Sequence, residues 1–341
     1  EDQLMEGTLE LAIHTLVEGK MGVSRFDERY KNDETGCKAS DPKILLKIVL
    51  LGYARGINTS RKLERACREN VVFMALSCGQ QPDHSTIAAF VSSLKEEIKP
   101  LFRDIVLACE EMQLLGGTEF SLDGCKLASN ASKRWSGTFS TLKAKKEKIE
   151  RRVTYLLSEQ VEADKQEEKD EKEKAGRAHF IAKLKKQAAK IEQFLEKNEP
   201  KPGKQRKEVQ SNVTDNESAM MTTSHGTIQG YNGQALVDAK HQVIVSGEAF
   251  GSGQDQYHLE PVLTEAQENM KGIGTDEEYF KDTILTADMG YHSGESIKRC
   301  EEEEIDAYIP DKNYRKRHPG LGVKHSSIKV RRRKFMPEDF R

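Results

Sequence analysis

Residues Glu119–Ala128, EFSLDGCKLA, decide how the rest of the chain is read. Apolar and polar residues alternate through Phe120, Ser121, Leu122 and Asp123, the period of a half-buried strand. Asp123 stands near the end of this stretch and is followed by Gly124. Far downstream, Thr283-Ile-Leu-Thr-Ala-Asp288 reads as a short buried strand that also closes on an aspartate. Between them, Gly226–Asp238 and His241–Phe250 read as two strands around an Asp238-Ala-Lys-His turn, a hairpin. Asp255 is placed to cap a helix carrying Leu259, Val262, Leu263 and Ala266. A further helix around Ile297 leads to a last strand, Ile305–Ile309.

With 119–128 as the first strand, the order is strand, hairpin, helix, strand, helix, strand. That is the order of a ribonuclease-H-like mixed sheet, so the expected fold class is α+β or α/β. One long segment interrupts it. Residues 141–200 hold 16 Lys/Arg and 13 Asp/Glu among 60 positions. Leu142, Ile149 and Leu156 recur at seven with Val153 between, and Ile181, Leu184, Ala188, Ile191 and Leu195 step 3, 4, 3, 4. This is an a/d seam, the mark of a coiled coil, and predicts two antiparallel helices with a highly charged tip. Pro200, Pro202 and Gly203 end the hairpin.

Upstream, residues 1–115 read as all helix. Asp41-Pro42 is an N-cap followed by proline at the first helical position, opening the run Ile44, Leu45, Ile48, Val49, Leu51. Gly52 and Gly56 are expected to loosen its end. Ser60 starts a short helix with Leu63, Ala66 and Cys67 on one face, and Ser85 is placed to cap another with Ile87, Phe90, Val91 and Leu94. Pro100 kinks or restarts the pattern before Leu101, Ile105, Val106 and Cys109. Phe73, Met74 and Phe90 read as core. Short helices bearing Arg55, Arg61, Lys62, Arg65 and Arg68 resemble a helix-turn-helix arrangement and make those cations candidate DNA contacts.

Composition narrows the function classes. The chain has 341 residues, enough for two domains and an insertion. No apolar run approaches a membrane span, and residues 1–30 lack a signal-peptide pattern. Six scattered cysteines with no CxxC pair argue against a structural zinc site or a secreted disulfide framework and fit a cytosolic protein. Net charge is −2, but residues 311–334 carry ten Lys/Arg against the single acid Asp311. That strip, with Arg331, Arg332 and Arg333 at its centre, is a candidate phosphate-binding surface.

Aspartates at the ends of buried strands share one sheet edge on rigid supports. Asp123 and Asp288 gathered there suit magnesium, a hard ion that takes oxygen ligands. Asp238 lies at a hairpin turn, where turn chemistry outweighs metal binding, and Asp215 reads as a capping or supporting residue. Lys126 and Lys133 are candidate phosphate contacts, His292 is the histidine nearest the site, and the Glu301–Glu304 run reads as a solvated helix end.

Six stretches carry a family resemblance: DPKILLKIVLLGYARGINTSRKLERACREN, PDHSTIAAF, SLDGCKLASNASK, SNVTDNESAMM, GYNGQALVDAKHQVIV and TADMGYHSGESIKRCEEEEIDAYIP. They resemble insertion-sequence transposases of the DDE superfamily, in the branch with an InsH-like helical N-terminal domain and an IS4-like catalytic domain, a resemblance that covers about residues 26 to 311. The resemblance implies a DNA-binding domain at 1–115, a catalytic domain at 116–311 with the hairpin inserted at 141–200, and a basic segment at 312–341. It implies Asp123 and Asp288 as the first two DDE carboxylates, with Mg²⁺ (or Mn²⁺) as cofactor, double-stranded DNA as substrate, a homodimer as a candidate assembly and the cytoplasm, at the nucleoid, as location. Cys125 stands where the family usually carries threonine. The third carboxylate comes from a later helix in this family, and only 32 residues follow Ile309. Glu338 is the one glutamate left among them, in a poor setting after Pro337. The expectation is a C-terminally truncated chain that cannot complete its own site.

Three readings stand at this point: a transposase that cuts and joins DNA, a truncated or domesticated relative that binds DNA without catalysis, and a nuclease of the same fold with another substrate. All the DNA-binding readings share a salt-dependent affinity, because neutralised phosphates release counterions. Changing Arg331, Arg332 and Arg333 together to Ala should lower affinity across sequences and flatten the dependence of log K on log salt. An unchanged slope in a binding titration would assign the strip to solubility.

Overall fold

The computed structural model describes residues 4–29, 40–164, 171–203, 207–224 and 226–317. The first helices are α1 (Leu9–Gly19), α2 (Pro42–Ala54), α3 (Ser60–Glu69), α4 (Val71–Leu76), α5 (His84–Ser93) and α6 (Ile98–Glu111). Asp41 caps α2 as its sequence requires, accepting from the Lys43 N–H at 2.8 Å. The cap of α5 is Asp83, which accepts from the Thr86 N–H at 2.7 Å, while Ser85 donates to that carboxylate in place of the capping role expected of it. Pro100 falls in the first turn of α6, where a missing N–H breaks no helical bond, so the proline restarts the pattern and does not kink it.

α2 is the central helix of this unit, burying Ile44, Leu45, Leu46, Ile48, Val49 and Leu51 against Val17, Phe26, Leu63, Phe73 and Ile87. Gly52 does not loosen it. A Cβ there would lie 2.1 Å from Leu63 Cδ2, so glycine lets α3 approach while α2 continues to Ala54. Lys47 is buried on the same helix and reaches Glu18 at 2.5 Å; hydrogen bonds from Lys43 and Lys47 hold the Glu18 carboxyl down at about 2. Phe73 and Phe90 are core residues as read, but Met74 is only half-buried on α4.

The second core is built on a mixed sheet. Its strands are β1 (Glu119–Ala128), β6 (Ala219–Thr223), β7 (Gly226–Asp238), β8 (Ile244–Phe250), β9 (Ile284–Ala287) and β10 (Asp306–Tyr308). Two small ladders lie apart from it, β2 (Ser136–Gly137) with β5 (Ser211–Asn212) and β3 (Lys201–Pro202) with β4 (Glu208–Val209). The order across the main sheet is β10-β9-β1-β7, with β6 and β8 both against β7. β1, β9 and β10 run parallel, and β7 is antiparallel to β1, β6 and β8. This is the ribonuclease-H-like arrangement expected, with an all-helical region before it.

Phe120, Leu122, Leu236, Val245 and Leu285 face one side, where α9 (Leu259–Gly272) contributes Val262, Leu263, Ala266 and Met270 and α10 (Gly294–Glu302) contributes Cys300. Each large side chain buried this way stabilises the fold by about 1.5–3 kcal/mol. α6 belongs to both cores: Leu101 packs in the first and Val106 in the second. The hairpin turn is longer than the sequence suggested. Lys240 N–H donates to Asp238 Oδ1, Gln242 takes φ 58°, and the strand resumes only at Ile244.

After β1 the chain leaves the sheet as α7 (Phe139–Asp164) and returns as α8 (Glu171–Lys197). Leu142, Val153, Leu156, Ile181, Ala188 and Ile191 are buried as their spacing predicts, and Phe194, outside the seam as read, is buried with them. The hairpin has two separate apolar clusters. At its root Leu142, Ile191 and Phe194 meet Val213 with Trp135 and Phe139 against them, which ties the insertion to the sheet domain. Farther out, Val153, Leu156 and Ile181 form a second cluster with Leu184 packed against it. Among the described residues no helix is long and apolar enough to cross a membrane.

Because the described apolar contacts join the hairpin to the sheet domain at its root, replacing residues 158–178 with a short Gly/Ser linker should leave one cooperative unfolding transition. Its midpoint should move by no more than about 2–4 °C, the shift of roughly 1 kcal/mol in a domain of this size. Loss of cooperativity on thermal unfolding would show that the outer hairpin is part of the core.

Candidate functional site

The parallel pairing of β1 with β9 ends at Leu122↔Ala287. The next residues on the two strands are Asp123 and Asp288, so the two candidate carboxylates occupy successive positions on neighbouring strands about 4.8 Å apart. Both are exposed. Asp288 is at a strand end as read and begins a tight 3₁₀ turn, Met289–Tyr291, accepting from the Gly290 N–H at 2.7 Å. Asp123 is not at a strand end. β1 continues to Ala128, paired beyond this point only with β7.

Gly124 explains how the strand passes that point. In sequence an Asp-Gly pair resembles a turn; here the glycine is mid-strand, and a Cβ on it would meet the Gln234 amide nitrogen at 2.3 Å. The Gln234 side chain lies across β1 in the space glycine leaves. It is one member of a polar network behind the carboxylates that the sequence reading missed. Gln234 accepts from the buried Tyr291 hydroxyl and donates to Asn232 Oδ1 at 2.9 Å and Asp255 Oδ1 at 3.1 Å. Asp255 Oδ1 also takes Asn232 Nδ2 at 2.7 Å and Lys126 Nζ at 3.1 Å. Asp255 therefore binds three side chains from β1 and β7, and the residue that opens α9 from the cap position is His258, not Asp255.

Burial pushes the Asp255 carboxyl up, but hydrogen bonds from Asn232 and Lys126, with the Lys126 charge, outweigh it and hold it below its ordinary value. His258, buried and stacked on Phe250 with ring centroids 4.2 Å apart, is kept toward its neutral form by that burial. Burial, then the charges of Asp255, Asp123 and Asp288, push the Tyr291 phenol well above its ordinary range, so it stays a donor to Gln234. The signal for this network was present in GYNGQALVD: Asn232 and Gln234 are in phase with buried Leu236, on the face where apolar residues were expected.

Asp123 and Asp288 each commit Oδ1 to a backbone N–H and leave Oδ2 without a hydrogen-bond partner among the described residues. Two hard oxygen donors on adjacent strands fit one magnesium ion that keeps several waters. No group of three His, Cys, Asp or Glu residues gathers for a metal among the described residues. Asp255 Oδ2 comes near Asp288, each within reach of a Cβ built on Gly290, at 3.4 and 2.8 Å.

The other candidates separate by their partners. Buried Asp238 accepts from the Gly116 and Gly117 N–H groups at 2.9 and 2.8 Å and from Lys240, which is turn chemistry. Asp215 supports the start of the sheet, accepting from Ser218 N–H and the Tyr231 hydroxyl. Lys126 is held by Asp255 and Gly253 rather than standing free for phosphate, whereas Lys133 is exposed in the turn before Trp135. In the helical region, Arg55 pairs with Glu10, Arg65 with Glu69 and Arg68 with Glu64, while Arg61 and Lys62 are exposed on α3 without an acidic partner among the described residues. His292 follows the Asp288 turn and takes no part in the network; His258 does. Glu301 and Glu302 end α10 in solvent. Arg331, Arg332, Arg333 and Glu338 lie outside the described residues.

Compared with known families, residues 1–93 match the profile described as Transposase domain (DUF772), and residues 213–340 match the one described as Transposase DDE domain. No curated protein and no solved structure matches the chain.

Adding a methyl group at Gly124 should displace Gln234 and disturb the strand under Asp123. Gly124→Ala is expected to destabilise by about 1–3 kcal/mol, the cost of overpacking a well-filled position. The cost should shrink in a Gln234→Ser background, measured by denaturant unfolding as a double-mutant cycle; equal costs in both backgrounds would mean that Gln234 does not fill that space.

Proposed function

Since this chain belongs to the DDE superfamily of insertion-sequence transposases, we propose that it binds the ends of a DNA element and catalyses metal-dependent cleavage and transfer of DNA strands. The observation that carries the proposal is the placement of Asp123 and Asp288 immediately beyond the last paired residues of β1 and β9. Mg²⁺ (or Mn²⁺) held by their free oxygens would supply the Lewis acidity that activates a water or 3′-hydroxyl and stabilises the leaving oxygen.

The protein's own contribution is positional. The parallel ladder sets the spacing of the two strands, and backbone N–H groups of Gly124 and Gly290 orient the carboxylates. The ion pair of Lys126 with Asp255 and the bonds of Gln234 to Asp255 and Tyr291 join β1, β7 and the turn after β9 into one support. Lys126 neutralises Asp255, so the negative charge left exposed at the edge belongs to Asp123 and Asp288. Arg61 and Lys62 on α3, unpaired among the described residues, are cations with which the helical region would meet phosphates; Arg65 and Arg68 can join them, because exposed pairs of this kind are worth only about 0–1 kcal/mol.

DNA binding without catalysis is a second reading, favoured by the absence of a third gathered ligand among the described residues. One assay separates the two. Under the main proposal a DNA duplex is nicked only with Mg²⁺ or Mn²⁺, and Asp123→Asn and Asp288→Asn each abolish nicking while DNA affinity in a binding titration is retained. Nicking that survives both substitutions would overturn the site assignment, and salt-dependent binding with no nicking by the unaltered chain would establish the second reading. Glu338→Gln belongs in the same series: loss of nicking in that variant would identify the third ligand.

A further inference from the structure

At the root of the helical hairpin four residues form an arrangement that the carboxylate site does not use. The Lys145 ammonium lies 5.0 Å from the centre of the Trp135 ring and the Lys190 ammonium 5.4 Å from it. Lys145 also donates to the Arg134 carbonyl. Two lysines, one from each helix, are thus gathered on one indole, with Arg134 beside it. Among the described residues none of the three cations has a carboxylate within ion-pair distance. The contrast with the adjacent residue is direct: Lys146 pairs with both Glu192 and Glu150. Burial, and then the Arg134 charge, push the Lys145 ammonium down from its ordinary value. Like charges collected without a counter-charge repel, and cation–π contacts offset only part of that. An anion placed among them would relieve the repulsion.

The position in the fold says which anion. β1 runs from Asp123 to Ala128 toward the hairpin root, in the same direction in which β9 delivers Asp288. At about 3.3 Å per residue the strand spans roughly 17 Å between the carboxylates and the point where the chain leaves the sheet. At about 3.4 Å per nucleotide along a duplex strand, that is on the order of five base pairs. The cationic row also continues up the helices at helical spacing, through Lys148 on α7 and Lys186 on α8.

We propose that Arg134, Lys145 and Lys190, gathered on Trp135, form a phosphate clamp that holds duplex DNA flanking the cleavage site, so that the inserted hairpin is part of the DNA-binding surface. The clamp rests on the DNA substrate proposed above, and its test is arranged so that the two can fail separately.

Trp135 is the single tryptophan in the sequence, so intrinsic tryptophan emission reports on the clamp directly. The whole chain is titrated with a short random-sequence DNA duplex carrying a fluorophore, following anisotropy for binding anywhere and tryptophan emission for binding here. The expected result is a saturating emission change that tracks anisotropy. In a Lys145→Gln/Lys190→Gln variant with unchanged far-ultraviolet circular dichroism and melting, the slope of log K against log salt should fall in magnitude by about 2, near 0.9 per lost phosphate contact. A Lys145→Arg/Lys190→Arg variant should keep the slope. Binding by anisotropy with the slope unchanged in the Gln variant overturns the clamp, whatever the emission does, and leaves the DNA substrate standing. Absence of any duplex binding overturns both.

Discussion

The parallel pairing of β1 with β9 is the contact on which the candidate site depends. The strands are separated by about half the chain, with the hairpin, β7, β8 and α9 between them, yet the register Leu122↔Ala287 places Asp123 and Asp288 side by side. A slip of one residue would turn each strand's side chains to the other face and bury a carboxylate in the core. The apolar face prevents that slip. Phe120 and Leu122 on β1 and Leu285 on β9 pack under α9 and α10, and their burial selects the register that leaves the aspartates in solvent. The same hydrophobic contacts that stabilise the sheet therefore place the carboxylates.

A polar network sits at the margin of that core. Asn232 and Gln234 are buried on the apolar face, and buried polar groups are costly unless bonded. Here Asp255, Tyr291 and His258 satisfy them, and Lys126 pairs with Asp255. Such a network is demanding, since removing one member leaves several others unpaired. Its return is rigidity between three segments, β1, β7 and the turn after β9, that meet at the carboxylates. Gly124 belongs to it as much as the polar residues do, because only a missing side chain lets Gln234 cross the strand.

Charge is distributed by the same logic. Arg65 and Arg68 in α3 and Lys146 in the hairpin are paired along the helix or across it, and Lys126 is neutralised in the network. The cations without an acidic partner among the described residues include Arg61 and Lys62 on α3 and the Trp135 cluster at the hairpin root. A near-neutral chain with localised unpaired cations suits a polyanionic partner better than its net charge of −2 suggests.

Much of this was legible in the sequence. The alternation at 119–128, the Asp238 turn, the seam of the hairpin and the Asp41-Pro42 start each follow from local periodicity or backbone chemistry, which neighbouring residues are enough to express. Asp123 and Asp288 could be named as candidates because each directly follows the apolar residues of a strand segment, Leu122 and Ala287. What the sequence did not show were the residues whose role depends on a partner from elsewhere. Gly124 resembled a turn and is a space for Gln234; Gly52 resembled a helix breaker and is a contact for Leu63; Asp255 resembled a cap and is the acceptor for Lys126, Asn232 and Gln234. Local propensity and pattern determined the elements and their order. Only packing between strands and helices distant in sequence decided the register, the filled spaces and the hydrogen-bond partners, because those energies arise between surfaces that meet only when the chain has folded.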